Sequence, residues 1–492
     1  MRVCRAYNSH YEIIDYDLGD ISRLEKLFST YDRITHKYIP YYHYDEEKRI
    51  LYIPRGCDAN LVSHMVGRPV TYIPNKKPDR KCIFSVGNMP RDDYQRKMIR
   101  YLVGAEEFEG MKKSSQQVLS LPTRSGKTYV TIAAISILET RAIIIVNSDE
   151  LRTQWKTEIL KHTQLQESNV ELISSTDWFY DVDSDPYTIT ERKEKYIFIV
   201  THRSIYNTVK KYGGDVLNSA LTKLQIGIKV IDEAHIEFHN TLRTDYFTNV
   251  WKTWYLTATF GRSESNENRI FQRAFDKVNK IAMSNPERKP SVVLFMIGFQ
   301  TKPNHYVHQL VCYKPRGFDR YVYMNYELNE EPTKALDNEV KTILRMVIET
   351  KKLAGKILIL APSIGGCEHY KDIVEELYPQ YSVCCHNSAN RIEDFREYGV
   401  ICATRQMLGT AITIPNLRVI INLEPTSSEV NLTQTIGRLD VYEGGLDTYY
   451  FYIMDTSFDK VRTIFYHATN ILKKGAKEVI VRDDAITMHD KL

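Results

Sequence analysis

Three groups of side chains in this chain have the types and spacing for phosphate chemistry. Gly126–Lys127–Thr128 lies between an alternating apolar stretch, QQVLSL (116–121), and KTYVTIAAISIL (127–138), whose apolar residues recur at helical spacing. That order predicts a strand, a loop and a helix. Loop amides at the positive end of a helix can wrap phosphate oxygens. Pro122, Thr123, Arg124, Ser125 and Gly126 would form this cradle, with Lys127 on the β/γ-phosphates of ATP and the Thr128 hydroxyl on Mg²⁺. The second group closes the apolar run IGIKVIDEAHIEF (226–238). Asp232 there would hold Mg²⁺ through water, and Glu233 would orient and polarise the attacking water. The third group is Gln434 and Arg438 in NLTQTIGRLDV (431–441), where an arginine would stabilise charge in the transition state.

A bare GKT tripeptide is a common accident, and a pair of acids in a loop is usually just solvated. Their order along the chain carries more weight than either alone. GKT, DEAH, TAT in WYLTATFGR (254–262) and QxxGR together resemble the superfamily 2 helicases and translocases of the DEAH type, over about residues 90–455. RDDYQRKMI (91–99) resembles the adenine-reading Q motif, which would make Gln95 a bidentate amide for adenine. IIIVNSDELRTQW (143–155) resembles motif Ia. VTHRSI (200–205) resembles motif Ib, with Thr201 and Ser204 on a DNA phosphate. ATRQMLGTAITIPNL (403–417) resembles motif V, with Thr404 as a further DNA contact. Three departures stand out. Arg124 sits where the phosphate loop of this group usually carries a glycine. The acid of motif V is replaced by Thr413, and the second arginine of motif VI by Val441.

The resemblance implies an α/β chain with two tandem RecA-like motor lobes on parallel sheets, 90–290 and 291–492, and nucleotide bound between them. A small α+β domain, 1–89, would precede them. It is dense in aromatics, as in HKYIPYYHYDEEKRILYIPRG (36–56), and ends in a basic stretch with Lys76, Lys77, Arg80 and Lys81. This layout resembles the UvsW group of phage branched-DNA helicases, which implies a duplex- or junction-contacting N-terminal domain. A second basic–aromatic stretch, 301–320, reads equally as a backbone-phosphate grip or as a hairpin with a solvated face. DVDSDPYTITERKEKY (181–196) reads as a polar surface loop.

The bulk numbers fit a soluble, multi-domain protein. Hydrophobic residues make up 43% and charged residues 26% of 492, and the formal charge of +4 is weak evidence for a polyanionic partner. The eight cysteines form no CxxC pair, which argues for a reduced, cytoplasmic protein without structural zinc. No apolar run approaches a membrane span. The leading expectation is a monomeric, ATP- and Mg²⁺-dependent DNA helicase acting on single-stranded and branched DNA or RNA–DNA hybrids. The alternatives are a nucleotide-gated DNA clamp and the motor subunit of a restriction complex.

Overall fold

A computed structural model describes residues 3–484, apart from 33–35, 106–107, 109–110, 112–113, 123–124, 237, 259–264, 284–289, 302–311, 315–316, 332–333, 391, 393, 409–413 and 443–444. The chain forms two compact units, Met1–Asn285 and Pro286–Leu492.

The first unit is built on a seven-stranded parallel sheet. Its strands lie in the order Val170–Ile173, Ile197–Thr201, Arg141–Val146, Ile226–Ile231, Lys252–Thr257, Gln116–Ser120 and Asn279–Ala282. The three strands from 141, 226 and 252 are buried along their whole length. Helices on both faces explain their unbroken apolar runs. The expected strand and helix flanking the phosphate loop form as Gln116–Ser120 and Lys127–Leu138. Because the strands are parallel, the loops after Ser120, Val146, Thr201, Ile231 and Thr257 all leave one edge of the sheet.

The N-terminal residues form a mixed five-stranded sheet, ordered His43–Asp45, Ile50–Pro54, His10–Ile14, Val3–Ala6 and Val70–Tyr72. Their core is shared with the larger sheet. Tyr11, Ile13, Leu51, Ile53 and Val62 pack in one cluster with Phe238, Tyr246, Phe271 and Phe275. Backbone meets backbone at Gly56, where a Cβ would stand 2.2 Å from the Ala274 carbonyl and 3.0 Å from the Phe275 Cα. Asn8 also ties into the larger sheet, donating from Nδ2 to the carbonyls of Val250 and Trp251 at 3.3 and 3.0 Å.

Residues 181–196 differ from the expected loop. Pro186–Glu191 is helical, with Asp185 accepting from the Tyr187 N–H at 2.9 Å and Pro186 at the first position. Aspartate as cap followed by proline is a helix-start signal that the polar composition concealed.

The second unit repeats the parallel architecture. Its strands are ordered Val383–His386, Val400–Ala403, Lys356–Leu360, Leu417–Asn422, Asp447–Asp455, Ser291–Phe299 and Glu478–Asp483. Of the 301–320 stretch, Tyr313–Lys314 pairs antiparallel with Gly317–Phe318. Lys302, Tyr306 and Arg316 lie outside the described residues. Among the described residues no helix is long and apolar enough to cross a membrane.

Candidate nucleotide site and nucleic-acid edge

Lys127 opens the helix that follows the phosphate loop, and Gly126 precedes it with φ of 86°, a left-handed conformation. Space also demands glycine here, since a Cβ would meet Gln95 Nε2 at 2.6 Å. Leu121 anchors the loop, its N–H donating to the Thr257 carbonyl at 2.9 Å. Ser125 turns its hydroxyl back onto the Pro122 carbonyl at 2.7 Å. Thr128 is the second residue of the helix and half-buried. Thr123 and Arg124 lie outside the described residues.

Asp232 and Glu233 leave the same edge of the sheet. Lys127 Nζ donates to Glu233 Oε1 at 2.8 Å, its only hydrogen bond to a described residue. Glu233 Oε2 accepts from the Ala258 N–H at 3.3 Å and lies 3.4 Å from His235 Nδ1, which meets the Thr257 hydroxyl at 2.7 Å. Glu233 has a φ of 48°, a strained conformation for a side chain of its size. Burial works to raise its pKa, but Lys127 and then His235 outweigh it and hold the carboxyl below its usual range. For Asp232, burial and then the Glu233 charge push the pKa up to about 6, against the pull of Lys127 and Trp155. A buried carboxylate short of positive charge, with the Thr128 hydroxyl in the adjoining loop, suits a hard divalent cation such as Mg²⁺.

Trp155 joins this cluster, a contact that its place in IIIVNSDELRTQW does not reveal. Its indole Nε1–H donates to Asp232 Oδ2 at 2.9 Å. The helix Asp149–His162 delivers it, capped by Ser148 accepting from the Leu151 N–H at 3.3 Å, with Asp149 and Glu150 in the first turn. The signal was an apolar ring nearly two turns into a well-capped helix, directly after a buried strand.

Gln95 lies against the phosphate loop and is 1% exposed. Its Oε1 accepts from the Arg91 N–H at 2.9 Å, whereas Nε2 has no hydrogen-bond partner among the described residues. One donor is thus left unpaired, where a bidentate reader of adenine would offer both atoms.

Thr201 ends its strand on the same edge and caps the helix His202–Tyr212. Its Oγ1 accepts from the Ser204 N–H at 3.2 Å and lies 3.0 Å from the Ser204 hydroxyl. The basic stretch sits elsewhere. Lys77 lies over the Trp251 ring at 5.8 Å, the Arg80 N–H donates to Gln225 Oε1 at 3.2 Å, and its guanidinium bonds the Lys193 carbonyl. Lys81 pairs with Glu139 at 3.8 Å, while Lys76 is exposed. Trp251, Gln225, Lys193 and Glu139 all precede the strands they lead into. These cations therefore line the opposite edge of the sheet from Lys127 and Thr201, a strand length of roughly 15–20 Å away.

In the second unit, Thr404 directly follows Val400–Ala403, and Gln434 lies in the helix Glu429–Ile436 with Arg438 one turn beyond. Both Gln434 and Arg438 are buried, and Val441 is 40% exposed. Arg405 grips the buried Glu424 with Nε and a terminal nitrogen at 2.8 and 3.1 Å, and Arg320 bonds the same carboxylate. Arg320 is thereby held by a carboxylate of its own unit. Ala411 and Thr413 of the motif V stretch lie outside the described residues.

A parallel sheet that gathers the loop before Lys127, the paired acids and a helix cap on one edge is an α/β lobe with a candidate phosphate site. The comparisons agree. Residues 88–262 match the family model of the type III restriction enzyme res subunit. The chain is 28% identical over 137 residues to the general transcription and DNA repair factor IIH helicase/translocase subunit XPB of Enterocytozoon bieneusi, covering 27% of this chain and 22% of that protein. It is 29% identical over 111 residues to the DNA 3'-5' translocase XPB2 of Sulfurisphaera tokodaii, covering 22% of this chain and 21% of that one. The matched segments thus span about a fifth of these relatives' length. The fold is shared with the DEAD-box helicase Mss116 bound to ssRNA and UDP-BeF, at a TM-score of 0.51 and 14% identity, over 81% of this chain and 76% of that one. Together these likenesses show a fold of tandem RecA-like α/β lobes, with sequence similarity to helicase and translocase subunits confined to part of the chain.

Proposed function

We propose that this chain is an ATP-dependent DNA helicase or translocase of superfamily 2, of the DEAH type, that unwinds or migrates branched DNA. The observation that carries the reading is the Lys127–Glu233 pair beside Asp232. The ion pair holds both groups ready while the nucleotide is away. An arriving triphosphate supplies Lys127 with a new partner and frees Glu233 Oε1. Glu233 keeps its contacts with the Ala258 N–H and His235, so its orientation survives the exchange. The freed oxygen then accepts a proton from the attacking water. Asp232, steadied by the Trp155 indole and by its bond to the Glu233 N–H, would hold Mg²⁺, which neutralises charge on the phosphates. Arg438 would stabilise the transferred phosphoryl group, with Gln434 positioning water or phosphate. With Val441 in the neighbouring position, that charge falls on a single arginine.

Junction and RNA–DNA hybrid substrates, a phage-type role in replication, recombination or repair, a monomeric state and a cytoplasmic location belong to the same proposal. The test is steady-state ATP hydrolysis with and without single-stranded DNA, followed by strand displacement on matched forked, four-way and R-loop substrates. Stimulation by DNA with preferential processing of branched substrates is expected. Nucleotide binding without stimulated hydrolysis would indicate the nucleotide-gated clamp instead.

The family match over 88–262 favours one further reading, the motor subunit of a restriction complex. In that case unbranched duplex would stimulate hydrolysis as well as a fork does, and DNA cleavage would require an added nuclease subunit.

A further inference from the structure

Within the first unit, one small element belongs to neither of its larger sheets. Ser29–Asp32 and Lys37–Pro40 pair only with each other, as an antiparallel hairpin in which Tyr31 faces Tyr38. Tyr31 is 49% and Tyr38 57% exposed, and their rings meet edge to face at 5.3 Å. His36 and Lys37 are exposed beside them, and the Tyr31 hydroxyl lies 3.2 Å from His36 Nδ1. Isolated surface tyrosines need no explanation. A hairpin that joins neither larger sheet and holds two half-exposed rings together at the surface, with Lys37 beside them in register with Asp32, does.

The mooring of this hairpin shows where it works. The Pro40 carbonyl accepts from His239 Nε2 at 2.9 Å, and the next residue, Tyr41, stacks on Phe238 at 5.2 Å. The Tyr41 hydroxyl donates to Glu267 Oε1 at 2.8 Å, and its carbonyl accepts from the Tyr246 hydroxyl at 2.6 Å. Phe238 and His239 open the helix that follows Asp232–His235. Glu267 lies in the first turn of Ser265–Ala274, the helix after Thr257 and Ala258. The hairpin therefore stands on the edge of the sheet that carries Lys127, Glu233 and Thr201. Its base is bonded to the two segments that supply the partners of Glu233.

We infer that this hairpin is a base-stacking wedge, on which Tyr31 and Tyr38 receive an unstacked base where two nucleic-acid strands part, with Lys37 against the adjoining phosphate. The inference rests on the proposed action on nucleic acid and names the element that separates the strands. Flat rings take any base, so this contact reads structure rather than sequence. A protein partner would also favour exposed tyrosines. The shared edge with the phosphate site, with Lys37 beside the rings, favours nucleic acid.

The full-length chain with Tyr31→Ala and Tyr38→Ala together tests this, beside Tyr31→Phe/Tyr38→Phe and wild type. About half of each residue is in solvent, so the melting temperature should change little. Single-strand-stimulated ATP hydrolysis should also hold, while displacement of a forked duplex falls by about tenfold or more in the alanine pair. The fluorescence change of 2-aminopurine at the fork junction on binding should disappear with it. The phenylalanine pair should behave as wild type in all three. Wild-type displacement by the alanine pair overturns the wedge and points to a protein partner for these rings. So does an unchanged junction signal, or an equal loss in the phenylalanine pair. If DNA fails to stimulate hydrolysis by wild type, the functional reading itself falls and the wedge with it.

Discussion

The first unit holds two buried lysine–carboxylate pairs that differ in one respect. Lys229 lies inside the strand Ile226–Ile231, and all three of its donors are used. They reach Asp245 Oδ1 at 2.6 Å, the Thr248 hydroxyl at 2.6 Å and the Thr248 carbonyl at 3.1 Å. The second Asp245 oxygen accepts from the Tyr255 hydroxyl at 2.7 Å, and Gln116 donates to that hydroxyl. Lys127, by contrast, has one partner among the described residues and is 12% exposed, while Glu233 retains other contacts. A saturated pair can only hold the fold together. An unsaturated one at the mouth of a loop can exchange its partner for a ligand. Hydrogen-bond saturation separates the structural pair from the working one better than burial or charge does.

Breaking each pair with the same substitution gives the largest contrast. Lys127→Met should bring ATP hydrolysis to background with a modest change in urea stability. Lys229→Met should cost about 3–5 kcal/mol in urea unfolding, because Asp245 is left buried without its cation. Similar destabilisation by the two would erase the distinction.

A smaller effect belongs to the shared core. Gly56→Ala forces a methyl group against the Ala274 carbonyl, and overpacking of this kind costs about 1–3 kcal/mol. A single cooperative unfolding transition that shifts as a whole is expected, since residues 1–89 share their core with the larger sheet. Two separate transitions would mean an N-terminal domain that folds alone.

Trp155→Phe keeps the ring and removes one hydrogen bond to a carboxylate, worth about 1.5–3 kcal/mol when the acceptor is charged. Half-maximal ATP hydrolysis should then need about tenfold or more additional Mg²⁺, and urea unfolding should lose stability on the scale of that one hydrogen bond. An unchanged Mg²⁺ requirement would remove Trp155 from the site.

The smallest effect is expected at the opposite edge of the sheet. Neutralising Lys76, Lys77, Arg80 and Lys81 together should leave single-strand-stimulated hydrolysis near wild type. The salt dependence of fork binding will show whether a duplex arm reaches them, since each phosphate contact steepens it.

How legible all this was depends on the range of the interactions involved. Both parallel sheets could be read because strands buried on both faces are written as nearly continuous apolar runs, such as AIIIV in Arg141–Val146 and IGIKVI, interrupted only by Lys229. Asp232 and Glu233 could be read because they end such a run, and Lys127 because it opens the helix that follows the strand Gln116–Ser120 and its loop. The basic stretch before residue 82 gave only its composition. That Lys77, Arg80 and Lys81 lie along the strand starts is a tertiary fact, invisible to local pattern. The Trp155–Asp232 bond spans 77 residues and the Tyr41–Glu267 bond 226, and no periodicity announces either. Arg405–Glu424 was hidden the same way, a buried carboxylate one residue past an apolar strand.

The most direct test is single-turnover hydrolysis by Glu233→Gln, with ATP binding measured in parallel. Glutamine preserves the size of a side chain held at positive φ and can still accept from the Ala258 N–H, but it cannot take a proton from water. ATP affinity should stay near wild type while hydrolysis stops, with and without DNA. Normal turnover would contradict the assignment of Glu233, and with it the proposed motor chemistry at this edge of the sheet.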